Sequence, residues 1–146
     1  MNELTFTMTK YSLSNTYQHR VRYADTDKMG VVYNANYLNY FEIGRTELIR
    51  DYGMPYSLIE EQGYHLPLIN AELDFIKPAR YDDMILINTR IDYNSDNVRL
   101  EFKYLIDCNG DTLCKGQTTH VFIRSADNRP TKAPDFFNQR LAEYHA

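Results

Sequence analysis

Tyr23-Ala-Asp-Thr-Asp-Lys-Met-Gly-Val-Val-Tyr-Asn-Ala-Asn-Tyr-Leu-Asn-Tyr-Phe-Glu-Ile-Gly-Arg45 is the stretch in which the apolar period of this chain changes from two to 3.6. It begins as the end of an alternating strand. It then turns through Asp25 and Asp27, with Gly30 supplying backbone freedom at the sharpest bend. Beyond Gly30, Tyr37, Tyr40, Phe41, Gly44 and Leu48 recur at i, i+3, i+4, i+7 and i+11, the stripe of a core-facing helix. Asn34 or Asn36 could cap it, and Gly53 with Pro55 ends it. Gly44 in that stripe is read as a site of close packing against a sheet, and Leu38, Ile43 and Ile49 add apolar character on other sides, so the helix is expected to be buried over much of its circumference. Backbone N–H groups at a helix start are unpaired and partly positive. A carbonyl oxygen placed there would be polarised, with a carboxylate nearby to act on its carbon or on a water.

Working outward, Tyr17, His19, Val21 and Tyr23 share one face of a half-buried strand, and residues 1–14 read as a loose arm. Downstream, Tyr56–Gln62 predicts a short helix closed by Gly63. The period then returns to two. Leu66 and Leu68 have opposite parity to Leu73 and Phe75, which places a bulge near Asn70-Ala71. Strands follow over residues 85–93, 98–106 and 112–124, with Asn109-Gly110 as a strong hairpin signal. Pro134–Tyr144 predicts a terminal helix. One strand, a long helix and then a run of strands joined by short turns predict an α+β fold with an antiparallel sheet.

The 146 residues make a single domain, 1–146, with no repeat or linker. The 13 tyrosines suit half-buried faces, as in a ligand cleft or a subunit interface. A net charge of −4 argues against non-specific nucleic-acid binding and leaves room for a local basic patch that meets an anionic cofactor. No apolar run approaches the roughly 20 residues of a membrane span, and the mixed polar and apolar first fifteen residues are not expected to act as a secretory signal. A cytoplasmic location is expected, with Cys108 and Cys114 as reduced structural thiols. A two-residue turn would set Cys108 opposite Asp111 and Cys114 opposite Leu105, so the two would not face each other.

The residues Asp25-Thr-Asp27, Gly30-Val-Val-Tyr33, Asn36-Tyr37-Leu38 and Tyr40-Phe41-Glu42 resemble the 4-hydroxybenzoyl-CoA thioesterase-like branch of the hotdog-fold acyl-CoA thioesterases. The likeness continues weakly through Pro78–Asp83 and covers most of the chain. It implies a hotdog fold, an antiparallel sheet of about five strands wrapped around one long central helix. It also implies hydrolysis of an acyl-CoA thioester without a metal or other cofactor, coenzyme A being part of the substrate. A homodimer or homotetramer is implied, with the site between subunits.

Carried over residue by residue, the resemblance makes Asp27 the catalytic carboxylate, as nucleophile or general base. It makes the amides of Val32, Tyr33 and Asn34 the oxyanion donors, and Tyr33, Asn34 and Tyr37 the substrate-binding residues. Asp25 fits a turn-holding role through hydrogen bonds to backbone N–H groups. Asn34 departs from the pattern, because many relatives carry His there and Asn cannot titrate near neutral pH. Glu42 and Arg45, at i and i+3, are read as a structural pair. Lys77, Arg80, Arg99, Lys103 and Arg124 are available for phosphates, with none singled out. The four histidines lack metal-ligand spacing, although His65 could approach the site. The alternatives are an acyl-carrier-protein thioesterase and a non-catalytic acyl or CoA-binding module. A hotdog hydratase or dehydratase is disfavoured because Asn34 removes the obvious His, and the absence of a Gly-x-Ser-x-Gly elbow disfavours a serine hydrolase.

Overall fold

A computed structural model describes residues 10–94 and 98–145. Strand β1 (Lys10–Arg20) leads through the Asp25–Gly30 loop into helix α1 (Asn36–Asp51) and the short α2 (Tyr56–Glu61). The chain continues through β2 (Tyr64–His65), β3 (Leu68–Phe75), β4 (Met84–Asn94), β5 (Arg99–Cys108) and β6 (Asp111–Arg124) to β7 (Pro130–Thr131) and α3 (Asp135–His145). The five long strands lie in the order β1-β4-β5-β6-β3, all antiparallel, and the two-residue β2 and β7 add to β6.

Helix α1 lies across the sheet because its stripe residues need a partner surface. Tyr37, Tyr40, Phe41, Gly44 and Leu48 are all buried, as the period predicted. Phe41 stacks on Tyr104 of β5 at 4.2 Å with the rings nearly parallel. Two glycines allow this close approach. A Cβ on Gly44 would sit 2.3 Å from Thr89 Oγ1, and one on Gly116 of β6 would sit 2.3 Å from the Phe41 ring. The other side of α1 is not covered by the described residues: Leu38 is exposed and Ile43 half-buried. The helix is therefore buried on one face rather than around most of its circumference.

Two further sequence readings are corrected. Strand β1 begins at Lys10, so residues 10–14 are not a loose arm; they pair with Arg90–Asn94, and Leu13 is buried. The inward position after Leu13 is the polar Asn15, which broke the alternation. Residues 1–9 lie outside the described part. In the β5–β6 hairpin the register slips between Ile106 and Asp107, so Cys114 pairs with Ile106 rather than Leu105. The residue left over, Leu113, turns its carbonyl to the amides of Ile76 and Lys77. Cys108 does face Asp111, and both thiols are free and buried. The expected bulge in β3 falls between Leu68 and Asn70. No helix among the described residues is long and apolar enough to cross a membrane.

Candidate active site

The loop after β1 folds back as a tight hairpin. Thr26 bridges Val32, the Asp27 N–H donates to the Val31 carbonyl at 2.9 Å, and the Gly30 N–H returns to the Asp27 carbonyl at 3.0 Å. Gly30 needs φ of 75° to close that turn. The second arm is fixed from its other side, where the Val32 N–H donates to the Ala79 carbonyl at 2.8 Å.

The two carboxylates of this hairpin have separate surroundings. Asp25 Oδ2 accepts from the Arg22 N–H at 3.1 Å and the Tyr40 hydroxyl at 2.9 Å, with His19 Nε2 at 3.3 Å. Burial alone would raise its pKa. The Arg22 amide, the Tyr40 hydroxyl and His19 together outweigh that and hold it below the usual carboxylate range. The Asp25 carbonyl also accepts from Asn36 Nδ2 and from the Tyr33 N–H, so this one residue ties the strand end to the start of α1. Asp27, at the hairpin tip and half-buried, uses Oδ1 to accept from the Met29 N–H at 2.8 Å. Its Oδ2 has no partner among the described residues.

Of the three amides expected to stabilise an oxyanion, two are committed elsewhere. The Val32 N–H is bonded to Ala79 and the Tyr33 N–H to the Asp25 carbonyl at 2.9 Å, because residues 31–33 are the middle strand of a small ladder. The Asn34 N–H has no acceptor among the described residues. The asparagines do not cap the helix either. Ala35 occupies the cap position with no side-chain bond, and the first turn carries no acidic residue. The positive end of α1 is left without a carboxylate of its own.

Beside Asn34 lies a cavity of about 180 Å³ lined by Val31, Tyr37, Phe75, Lys77 and Pro78. Tyr37 is buried there, its hydroxyl accepting from the Ala79 N–H at 3.2 Å and its ring set edge-on to Phe75. Tyr33 is exposed, and Asp27 does not line this cavity.

The sequence profile of the Thioesterase-like superfamily matches residues 21–141, from the strand end before Asp25 to the last turns of α3. The chain belongs to this superfamily. YneP of Bacillus subtilis (strain 168), named provisionally as an acyl-CoA thioesterase, is 32% identical over 126 residues, 86% of this chain and 88% of YneP. A 1,4-dihydroxy-2-naphthoyl-CoA hydrolase of Synechocystis is 31% identical over 122 residues, 82% of this chain and 88% of its own length. Among solved structures, a DHNA-CoA thioesterase of Staphylococcus aureus superposes with a TM-score of 0.82 at 26% identity, covering 90% of this chain and 91% of that one. The antiparallel sheet laid against one long helix is the hotdog fold of these thioesterases.

Within this thioesterase-like frame, several side chains that were available to the site have partners elsewhere. His65 pairs with Ile123 in β2, and Arg124 is paired with Asp127. Lys77 lines the small cavity and approaches Asp111 at 3.5 Å. Glu42 and Arg45 form no ion pair, although both line a second and larger cavity further along α1. That cavity was not anticipated, since its walls come from α1, α2, β5 and β6, and no local pattern joins them. The network on Asp25 was legible only as far as its backbone bond.

Proposed function

We propose that this protein hydrolyses acyl-CoA thioesters, with Asp27 as nucleophile or general base and the Asn34 N–H as oxyanion donor. One observation carries the reading. The hairpin presents a carboxylate with an unengaged oxygen, and its second arm runs directly into an uncapped helix start with an amide that no carbonyl has claimed. The family and the names of the relatives supply the thioester.

In the reaction, an oxygen adds to the thioester carbon, from Asp27 itself or from a water that gives its proton to Asp27. The carbonyl oxygen takes the negative charge beside the Asn34 amide and the positive end of α1. The C–S bond then breaks and coenzyme A leaves as the thiolate. In the base route Asp27 passes the proton it took from water to that thiolate and the free acid departs; in the nucleophile route a water hydrolyses the acyl–Asp27 anhydride, releasing the acid and a proton for the thiolate. Asn34 can orient the thioester by hydrogen bonds, but it supplies no titrating group. Tyr33 and Tyr37 flank the thioester. No step calls for a metal or redox group, and we place the protein in the cytoplasm.

A homodimer completes the site. Strand β3 is hydrogen-bonded on one side only among the described strands, and Leu68, Ile69 and Phe75 on it are exposed. A second copy pairing antiparallel along that edge would satisfy its open backbone groups and cover the apolar residues.

The test is release of free CoA from a panel of acyl-CoAs by the native chain and by Asp27→Asn, which keeps size and removes the charge. Loss of at least about 100-fold in turnover with unchanged folding supports the assignment. Equal turnover in both would refute Asp27. Ligand binding with no turnover in either favours a binding module, and turnover confined to thioesters on an acyl carrier protein moves the carrier.

A further inference from the structure

The larger cavity, about 340 Å³, has a split character. Ile49, Leu66, Phe102 and Tyr56 give it apolar walls, while Arg45 and His120 bring polar groups into it. Its size falls in the range of small-ligand pockets, roughly 300–1,000 Å³. The smaller cavity beside Asn34 does not reach that range.

The polar side chains here form a directed chain. His120 is 1% exposed, with Nδ1 at 3.3 Å from the Leu66 carbonyl and Nε2 at 3.0 Å from Thr118 Oγ1. A carbonyl only accepts, so Nδ1 carries the proton and Nε2 accepts from the Thr118 hydroxyl. Thr118 has one proton to give, so the Tyr104 hydroxyl, 2.5 Å away, must donate to Thr118. The phenol oxygen is left to accept, and Arg45 bears on it. Burial first, and then the nearby Arg45 charge, push His120 down to about 4, so the imidazole stays neutral at pH 7. Every member of the chain is satisfied except Arg45. Arg45 is half-buried, bonds the Tyr104 hydroxyl, and meets no carboxylate within ion-pair distance among the described residues, Glu42 included, so most of its five donors remain to be placed.

Within one chain this cavity lies too far from the reacting carbon to hold a short acyl group. Tyr37 and Thr46, which line the two cavities, are separated by roughly 14 Å of helix. Antiparallel pairing of β3 with its own copy changes that. If the pairing is centred on the strand, Leu68 lies opposite Phe75 of the partner subunit, so the Leu66 end of one cavity meets the Phe75 end of the other's hairpin site.

We propose that this cavity receives the acyl group of a thioester held at the partner's hairpin, and that Arg45 is the specificity-determining residue, selecting acyl groups with an oxygen acceptor at the end remote from the thioester. The proposal rests on the thioesterase and dimer reading above. A guanidinium with open donors rewards a hydroxyl, carbonyl or carboxylate and is left unpaired by a plain hydrocarbon end. The apolar walls fit the intervening carbons.

The test compares kcat/KM for acyl-CoAs of matched length ending in methyl, hydroxyl or carboxylate. The native enzyme should favour the oxygenated ends by roughly tenfold or more. Arg45→Met should bring the kcat/KM of the oxygenated substrates down to that of the methyl-ended one, and Arg45→Lys should restore part of the preference. A carboxylate-only preference identifies an anionic acyl group, and an equal preference for hydroxyl identifies a neutral one. Turnover without preference, or an equal fall for every substrate in Arg45→Met, would overturn the assignment of Arg45 and leave the hydrolase reading intact. No turnover of any substrate by the native chain would overturn both.

Discussion

Gly44→Ala is the substitution that most sharply tests how α1 is seated. A new Cβ would lie 2.3 Å from Thr89 Oγ1 and 2.8 Å from Ile87 Cγ2, about 1 Å inside ordinary contact. Both neighbours are β-branched, buried and fixed on the central strand β4, so neither can swing aside. The helix must shift away from the sheet or the strand must bend. Overpacking of this kind costs about 1–3 kcal/mol, and two simultaneous clashes put the cost near the top of that range. Alanine returns about 1 kcal/mol through its better helix propensity. The expected net loss is about 2 kcal/mol, a fall of about 4–8 °C in Tm for a chain of this size. Urea unfolding followed by far-UV circular dichroism measures it. Thr89→Ala supplies a control, because Thr89 Oγ1 is buried without a hydrogen-bond partner among the described residues and its removal is cheap. In that background Gly44→Ala should cost at least about 1 kcal/mol less, the coupling expected of touching residues. A neutral or stabilising Gly44→Ala would refute the close seating of α1 on β4.

Three other outcomes follow from the same geometry. Asp25 has its pKa depressed in the fold, so its contribution is present above the ordinary carboxylate value of 3.8 and is lost as pH falls below it. Asp25→Asn should therefore flatten the loss of stability between about pH 4 and pH 2; an unchanged acid profile would contradict the network on Asp25. His120 stays neutral down to about 4, whereas the unfolded chain protonates it near 6.5, so stability falls as pH drops from 6.5 towards 4. Its imidazole resonances should not titrate above pH 5 by about more than a trace, and a midpoint near the ordinary 6.5 would overturn its placement. Ile69→Lys, on the open edge of β3, should convert a dimer into a monomer in sedimentation experiments, with a native far-UV spectrum.

How much of this was legible depends on where each signal sits in the chain. Helix α1 was clear because its stripe is local and unbroken, and the period of 3.6 placed all five stripe residues on the buried face. The start of β1 was hidden because Asn15 occupies an inward position, where it breaks the alternation. The register slip that moves Cys114 opposite Ile106 comes from Leu113, whose carbonyl accepts two amides from the chain after β3. That contact is made across the sheet and leaves no mark in the hairpin's own sequence. The positions expected to donate to an oxyanion came as a group from the family pattern. Which of them is uncommitted depends on Ala79 and on the Asp25 carbonyl, and only folding brings those acceptors to residues 32 and 33.

The Asp25-Thr-Asp27 pair illustrates why residue type alone cannot assign a role. Asp25 could replace Asp27 as a base only by releasing the Arg22 amide, the Tyr40 hydroxyl and His19. The same bonds that depress its pKa make it a weaker base and nucleophile, since a carboxylate so stabilised gains less by taking a proton or a carbon. Breaking them would also loosen the join between the strand end and α1, where Asn36 and Tyr33 depend on the same residue's carbonyl. Asp27 carries none of that burden: a single backbone amide holds one of its oxygens, and the other is unengaged among the described residues. The division of labour is thus a consequence of geometry. On the function proposed above, the residue whose carboxylate is locked to the helix builds the site, and the residue at the hairpin tip, two positions on, is left free to react. Asp25→Asn should accordingly reduce stability before it reduces turnover per folded molecule. A variant that folds normally and has lost all turnover would reverse the two assignments.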